Sequence, residues 1–197
     1  MTAQPEVPVD VMIEEWRPDR EPPDAEAFER DIEMLGEVLH AVVHGGAGVS
    51  FYLPFSQNDA KTFWREKVLP GVRARTRRVV VARRADGRIV GTVQLDFALP
   101  PNQRHRAEVA KMLVHPIARR RGIARALMTA LERIALSEGR TLLTLDTVTG
   151  SNAEPLYRSL GYVTVGVIPR YARAALTPDL ESTTIMYKEL ERPTDRS

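Results

Sequence analysis

Three residues in the second half of the chain could move protons: Glu108, Asp146 and Tyr157. A carboxylate can take a proton from a reacting group, directly or through a water, and a phenol can return one to a leaving group. Glu108 stands fourteen residues before Gly122, at the start of an apolar run of Val109, Ala110, Met112, Leu113 and Val114. Burial among Val109 and Met112 would raise its pKa toward working pH. The plainer alternative is a strand-entry Glu paired with Arg104 or Arg106. Asp146, in Leu145-Asp146-Thr147, ends a second apolar run. It could hold a cationic substrate, act as base in place of Glu108, or simply bond to a turn. Tyr157 carries a phenol of ordinary pKa about 10, a candidate proton donor. Its alternative is a helix aromatic packed beside Leu156 and Leu160.

A second constellation could bind an anion. Pro116-Ile117-Ala118-Arg119-Arg120-Arg121-Gly122 is a basic turn, and Ile123, Leu127, Leu131 and Ile134 recur at helical spacing after it. A helix start offers backbone N–H groups without intrahelical partners and the positive end of the helix dipole. Gly122 and Ala124 let that backbone approach a ligand closely, and Arg119, Arg120 and Arg121 add charge. Such a site suits phosphate or pyrophosphate; a solvated basic cluster is the plainer reading. No Lys-Ser/Thr follows the glycine and no Gly-x-Gly-x-x-Gly occurs here, so it is neither a Walker loop nor a dinucleotide fingerprint.

Other polar residues say less. Asn152 lies in Ser151-x-x-Glu154, which reads as a capping box. His40 and His44, four apart, could share a metal, but no third ligand accompanies them and a packing pair is the expectation. No metal site is expected. His115 reads as a turn residue, and Tyr171 follows Pro169-Arg170 in a loop.

These groups must be held by elements that the pattern outlines. A strand over 9–16 precedes a helix capped by Asp24 and running to about His44; Gly45-Gly46-Ala47-Gly48 ends it. Ser56 or Asn58 caps a second helix that stops at Pro70-Gly71. Strands over 77–83 and 89–97 flank an Asp86-Gly87 hairpin, and a third strand follows Pro100-Pro101 and leads into 107–114. After the helix from Ile123 to about Glu138 come a strand over 141–147, a short helix to about Leu160, a strand over 162–168, a Pro-containing loop and a last strand over 183–188. The order predicts a single α/β (α+β) domain over 9–190, with a mixed, mostly antiparallel sheet flanked by helices, and tails at 1–8 and 191–197.

Composition bounds the reading. The chain has 197 residues, 43% hydrophobic and 27% charged, and no cysteine. That excludes disulfides, a cysteine nucleophile and zinc-thiolate sites. No apolar run approaches the ~20 residues of a membrane span, and residues 1–10 lack the features of a signal peptide, so a cytoplasmic protein without membrane contact is expected. Basic residues gather at Arg73, Arg75, Arg77, Arg78, Arg83 and Arg84, then at Arg104, Arg106 and Arg119 to Arg121. A small polyanion explains part of this. A nucleic-acid face competes, but the positions are spread over several elements, and none is expected.

Arg119-Arg120-Arg121-Gly122-Ile123-Ala124 resembles the Arg/Gln-x-x-Gly-x-Gly/Ala signature of the GCN5-related N-acetyltransferase (GNAT) superfamily, which cradles the pyrophosphate of acetyl-coenzyme A. Downstream, Leu142 to Asp146, Asn152, Tyr157 and Leu160-Gly161-Tyr162 follow the family order. The likeness covers residues 76 to 190 firmly and 9 to 75 loosely. It implies the acyl-CoA N-acyltransferase fold and acetyl-CoA as cofactor. The cofactor would lie on Met112, Leu113 and Val114, on Arg119 to Ala124 including Ile123, on Asn152 and on Tyr157. It also implies Glu108 or Asp146 as base toward an acceptor amine, and Tyr157 as acid, its ordinary pKa of about 10 lying close to that of a leaving alkyl thiol. Within the superfamily, the stretch His105 to Val114, with Leu145-Asp146-Thr147 and Gly150-Ser151, is most similar to a bacterial group that includes the tabtoxin-resistance acetyltransferase. That points to a small amino-acid-like or antibiotic amine, with a homodimer left open. A non-catalytic sensor of coenzyme A and a protein acetyltransferase are the rival expectations.

Overall fold

The computed structural model describes residues 10–18 and 25–191. The start of the first strand at Val9, the Asp24 cap and most of both expected tails lie outside them. In chain order the elements are β1 (Val11–Glu15), α1 (Ala25–His44), α2 (Gln57–Phe63), a π-helical turn (Trp64–Val68), α3 (Leu69–Arg73), β2 (Arg77–Arg84) and β3 (Ile89–Asp96). Then come β4 (Arg106–Val114), α4 (Ile123–Ser137), β5 (Leu142–Val148), α5 (Ala153–Ser159), β6 (Val163–Arg173) and β7 (Leu180–Glu189). The strands form one sheet in the order β1-β2-β3-β4-β5-β7-β6. Every neighbouring pair is antiparallel except β4 and β5. This is the mixed α/β fold that the pattern predicted.

Alternation gives the sheet two apolar faces. Val80, Val93, Ala107, Val109, Leu143 and Leu145 face α4, whose Ile123, Leu127 and Leu131 close one core. Val79, Val81 and Leu113 face α1 and the α2–π segment, where Ile32, Leu35, Leu39 and Trp64 close the other. Trp64 is fully buried, so its indole N–H needs a partner; it donates to the Leu35 carbonyl at 3.0 Å.

Two boundaries differ from expectation. Ser56 does cap α2, with Asp59 completing a capping box. Pro70-Gly71, however, does not stop the helical path. A π-helical turn resets the register, and Pro70 falls in the first turn of α3, where its missing N–H is not required. The expected loop after Ile168 is also mostly strand. β6 runs through Pro169 to Arg173, with a bulge between Ile168 and Ala172, and β7 starts at Leu180. Proline is tolerated because β6 is the sheet edge and needs no donor on its outer side.

Candidate active site

The cleft arises from one defect in the sheet. β4 and β5 pair only at Arg106–Leu142, Ala107–Leu143 and Glu108–Thr144. Past Glu108 they separate, although β4 continues to Val114 and β5 to Val148. The far half of β4 therefore presents an unpaired backbone edge. His115 N–H donates to Val90 O at 2.9 Å. Antiparallel alternation then turns the Leu113 amide toward Thr92 in β3 and the Val114 amide toward the opening. The Val114 carbonyl accepts from Arg119 Nε at 3.2 Å. Of the three expected backbone donors, Leu113 is thus engaged within the sheet. Met112 belongs to a bulge: between the pairs Thr92–Leu113 and Gln94–Ala110, Lys111 and Met112 share the place opposite Val93. Lys111 there has φ 50°.

Beside this edge lies the start of α4. Its N-cap, Gly122, has φ 75° and ψ −6°, a left-handed conformation that glycine adopts at no steric cost. It has no side chain to cap the helix, and the first turn holds no acidic residue. The first intrahelical bond is Ala126 N–H to Gly122 O at 3.1 Å, so Ile123, Ala124 and Arg125 precede it with N–H groups lacking intrahelical acceptors. Arg120, at φ 64°, shapes the same turn.

The arginines sort into two sets. On β2, Arg83 pairs with Glu14 at 2.8 Å and with Asp31 at 2.9 Å, Arg78 with Glu15 at 3.3 Å, and Arg77 with Asp96. These guanidiniums hold the sheet to its neighbours. Arg119, Arg120 and Arg121 are exposed, and no carboxylate lies within ion-pair distance of them among the described residues. Three exposed guanidiniums without a carboxylate partner thus stand together at the α4 turn.

Glu108, Thr144 and Asp146 share the face opposite Val109 and Leu145. Glu108 is exposed and not buried as expected, because Val109 and Glu108 point to opposite sides. The proposed pairing with Arg106 is not made either: Arg106 binds Thr144 Oγ1 and Gln103 Oε1, each at 2.7 Å. Asp146 accepts from Thr183 Oγ1 at 2.9 Å. Tyr157 is 5% exposed and its ring lies 5.7 Å from that of Tyr162. Burial first, and the Asp146 carboxylate second, push its phenol well above the ordinary value. The hydroxyl therefore keeps its proton through the neutral range.

Asn152 is exposed at the N-cap of α5 and makes no capping bond. The expected capping box does not form. Ser151 Oγ meets Thr147 Oγ1 at 3.2 Å, and Glu154 Oε2 accepts from Gly150 N–H at 3.3 Å. His40 and His44 stack at 4.0 Å, and His44 Nε2 lies 2.9 Å from Phe55 O. No group of three or more His, Cys, Asp or Glu among the described residues could hold a metal. His115 caps the turn after β4, its Nδ1 accepting from Ile117 N–H at 3.3 Å. Tyr171 is exposed on the bulged end of β6.

The far end of the cleft is walled by the segment after α1 and the β6–β7 connection. Leu53 N–H donates to Ala175 O at 2.9 Å, and Arg173 lies over the Tyr52 ring at 4.4 Å. Gly48 packs so tightly that an added Cβ would meet Val148 Cγ2 at 2.5 Å. Against this wall rests a β4 residue that sequence reading passed over. Lys111 Nζ donates to Ser50 Oγ at 3.0 Å and lies 5.7 Å from the rings of both Phe51 and Phe63. Its signal was visible: a charge inside an apolar strand, and one of four lysines among 28 basic residues.

Known proteins share this architecture. The Acetyltransferase (GNAT) family model matches residues 49–162. An uncharacterized N-acetyltransferase from the hisH-hisA intergenic region of Azospirillum brasilense is 30% identical over 118 residues, 59% of this chain and 67% of that protein. A GCN5-related N-acetyltransferase from Kribbella flavida superposes with a TM-score of 0.70 at 21% identity, covering 92% of this chain and 98% of its own. The yncA protein of Salmonella typhimurium, solved with its cofactor acetyl-CoA, gives 0.69 at 17% identity, covering 95% and 98%.

Proposed function

Since the chain belongs to the Acetyltransferase (GNAT) family, we propose that it transfers an acetyl group from acetyl-CoA to a primary amine of a small molecule, by direct attack in a ternary complex. The acceptor is of amino-acid-like or antibiotic size. The observation that carries this reading is the uncapped start of α4 behind left-handed Gly122, set beside the separation of β4 from β5. That helix start, with Arg119, Arg120 and Arg121, fits a pyrophosphate, and the open backbone of β4 at Val114 fits the amide-bearing arm of coenzyme A. When bound, acetyl-CoA supplies an activated thioester. Asn152, exposed and without a capping bond, is available to the same ligand.

The protein's own groups then handle protons. Glu108 or Asp146 takes one from the acceptor ammonium on the open face of β4 and β5. Tyr157, kept protonated by burial, gives its hydroxyl proton to the departing thiolate of coenzyme A. Placement supplies much of the rate, because both partners of a two-substrate reaction are held in one cleft.

The test is release of free thiol from acetyl-CoA across a panel of primary amines, with coenzyme A binding measured separately by calorimetry. Turnover of a small amine supports the reading. Tight cofactor binding without turnover would favour a sensor, and turnover of protein lysines alone would favour a protein acetyltransferase. No saturable binding of coenzyme A would end the proposal.

A homodimer is part of the same reading. β6 is an edge strand whose Val163, Val165, Val167 and Ile168 are 44–66% exposed. An edge of this kind invites a second strand, and a twofold copy of itself supplies one. Light scattering should give a dimer mass, and Val165→Lys should give a monomer.

A further inference from the structure

Lys111 is built into the cleft in a way that mere surface charge does not require. It occupies the β4 bulge at φ 50°, a left-handed conformation that ordinary L-residues rarely adopt. Its ammonium sits in a collar of Ser50 Oγ at 3.0 Å and the rings of Phe51 and Phe63 at 5.7 Å each. Those two rings meet edge to face at 5.2 Å, so the collar is packed. Burial holds the Lys111 pKa below its ordinary value. The two other lysines with acidic partners lie 2.7 Å from them, Lys61 on Glu33 and Lys188 on Glu132. Lys111 has no carboxylate within 4.0 Å among the described residues; Asp146 and Glu108 act on it only through space.

A partly desolvated cation without a counter-ion is costly, so its retention beside a substrate cleft asks for a ligand that pairs with it. The neighbourhood narrows the ligand. Glu108 and Asp146 lie on the same face and attract the amine as ammonium. Lys111 repels that same ammonium unless the molecule also carries a negative charge. In an arginine-rich chain, with 24 of its 28 basic residues Arg, a lysine supplies a compact point charge in place of a planar fork. A small anionic group near the amine satisfies all three side chains at once.

Building on the acetyltransferase reading, we propose that Lys111 anchors an acidic group of the acceptor, so that the enzyme selects zwitterionic amines of the amino-acid class over neutral or purely cationic amines. Ser50, Phe51 and Phe63 position the ammonium. The acid group meets it while the amine turns to Glu108 and Asp146.

The test compares amino acids with their own carboxamides, which keep the side chain and the amine and lose the negative charge. The carboxamide's amine is the less basic and the less nucleophilic of the two, so the decisive reading is the change of the acid-to-carboxamide ratio in a Lys111 variant, which leaves the reactivity of the amines themselves untouched. Wild-type kcat/KM should favour the acid by at least tenfold, mostly through KM. Lys111→Met should bring that ratio near one, and Lys111→Arg should recover part of it. Lys111→Met should melt no lower than wild type, since it removes a buried charge, and should bind coenzyme A normally by calorimetry. An N-acetyl amino acid should raise the melting temperature of the coenzyme A-loaded wild type more than its carboxamide does, and Lys111→Met should lose that difference. Equal use of acid and carboxamide, or preference for the carboxamide or for a diamine, overturns the proposal and leaves the acetyltransferase reading standing. Coenzyme A binding without turnover of any amine overturns both.

Discussion

Glu108 stands beside Thr144 in the last pair that joins β4 to β5. One residue earlier, Ala107 is still bound into the ladder against Leu143; one residue later, the ladder has ended. The position of that final pair puts a carboxylate at the apex of an opening. It also leaves Val114, Lys111 and Asp146 along its sides without any loop having to carry them.

Replacing Gly122 tests the anion site. Gly122→Val forces a branched side chain into φ 75° and crowds the start of α4. The backbone cost is about 1–2 kcal/mol, a fall in Tm of roughly 2–8 °C for a chain of this size. Coenzyme A affinity should fall at least about tenfold, or 1.4 kcal/mol. Calorimetry and a thermal melt on one sample separate the two effects. Unchanged affinity would remove Gly122 from the site.

Tyr157→Phe tests the acid. The ring packing on Tyr162 is kept, so Tm should hold. Loss of a positioned proton donor should lower kcat on the order of a hundredfold, with cofactor affinity little changed. Because burial and Asp146 hold the phenol above its ordinary value, the wild type should show no loss of rate from its ionisation up to about pH 10. Full activity of the Phe variant at every pH would reject the assignment.

The two carboxylates are separated by pH–rate profiles. Glu108→Gln and Asp146→Asn each keep shape and remove basicity, and in the second variant the new amide oxygen could still accept from Thr183. The variant of the true base should lose kcat by about 10²–10⁴-fold, together with the acidic limb of the profile. The other should change KM and keep the limb. Glu108 is exposed, so its variant should melt as wild type does.

Stability should rise with pH across the imidazole range. His40 is held below the ordinary value by burial first and by His44 second, and His115 by burial first. Between the lowered folded value and the unfolded value of about 6.5 the unfolded chain binds more protons, so acid favours unfolding there. Tm should climb from pH 5 to 7.5, and His40→Gln should flatten part of the climb. An unchanged slope would show that His40 carries no share of it.

Local pattern made several parts legible. The α4 turn could be read because its message is contiguous: three arginines, a glycine and an apolar stripe at helical spacing within one stretch of chain. The strands and the order of elements were visible for the same reason. The two proline errors share a cause. Pro70 and Pro169 look like stops locally, yet the π-helical turn places one in a fresh helix start, and the sheet order leaves the other on an outer edge.

What no local pattern could carry is the pairing of segments far apart in the chain. The end of the β4–β5 ladder at Glu108 depends on a strand that begins at Leu142. The lysine collar depends on a bulge in β4 meeting Ser50, Phe51 and Phe63 from the segment between α1 and the π-helical turn. The arginines of β2 and those before α4 look alike as residues; only folding brings acidic partners to the first set and leaves the second without them among the described residues. Residue type and spacing state which groups are present, and long-range packing states which of them remain unsatisfied, because an unmet charge or N–H exists only relative to neighbours that the fold supplies.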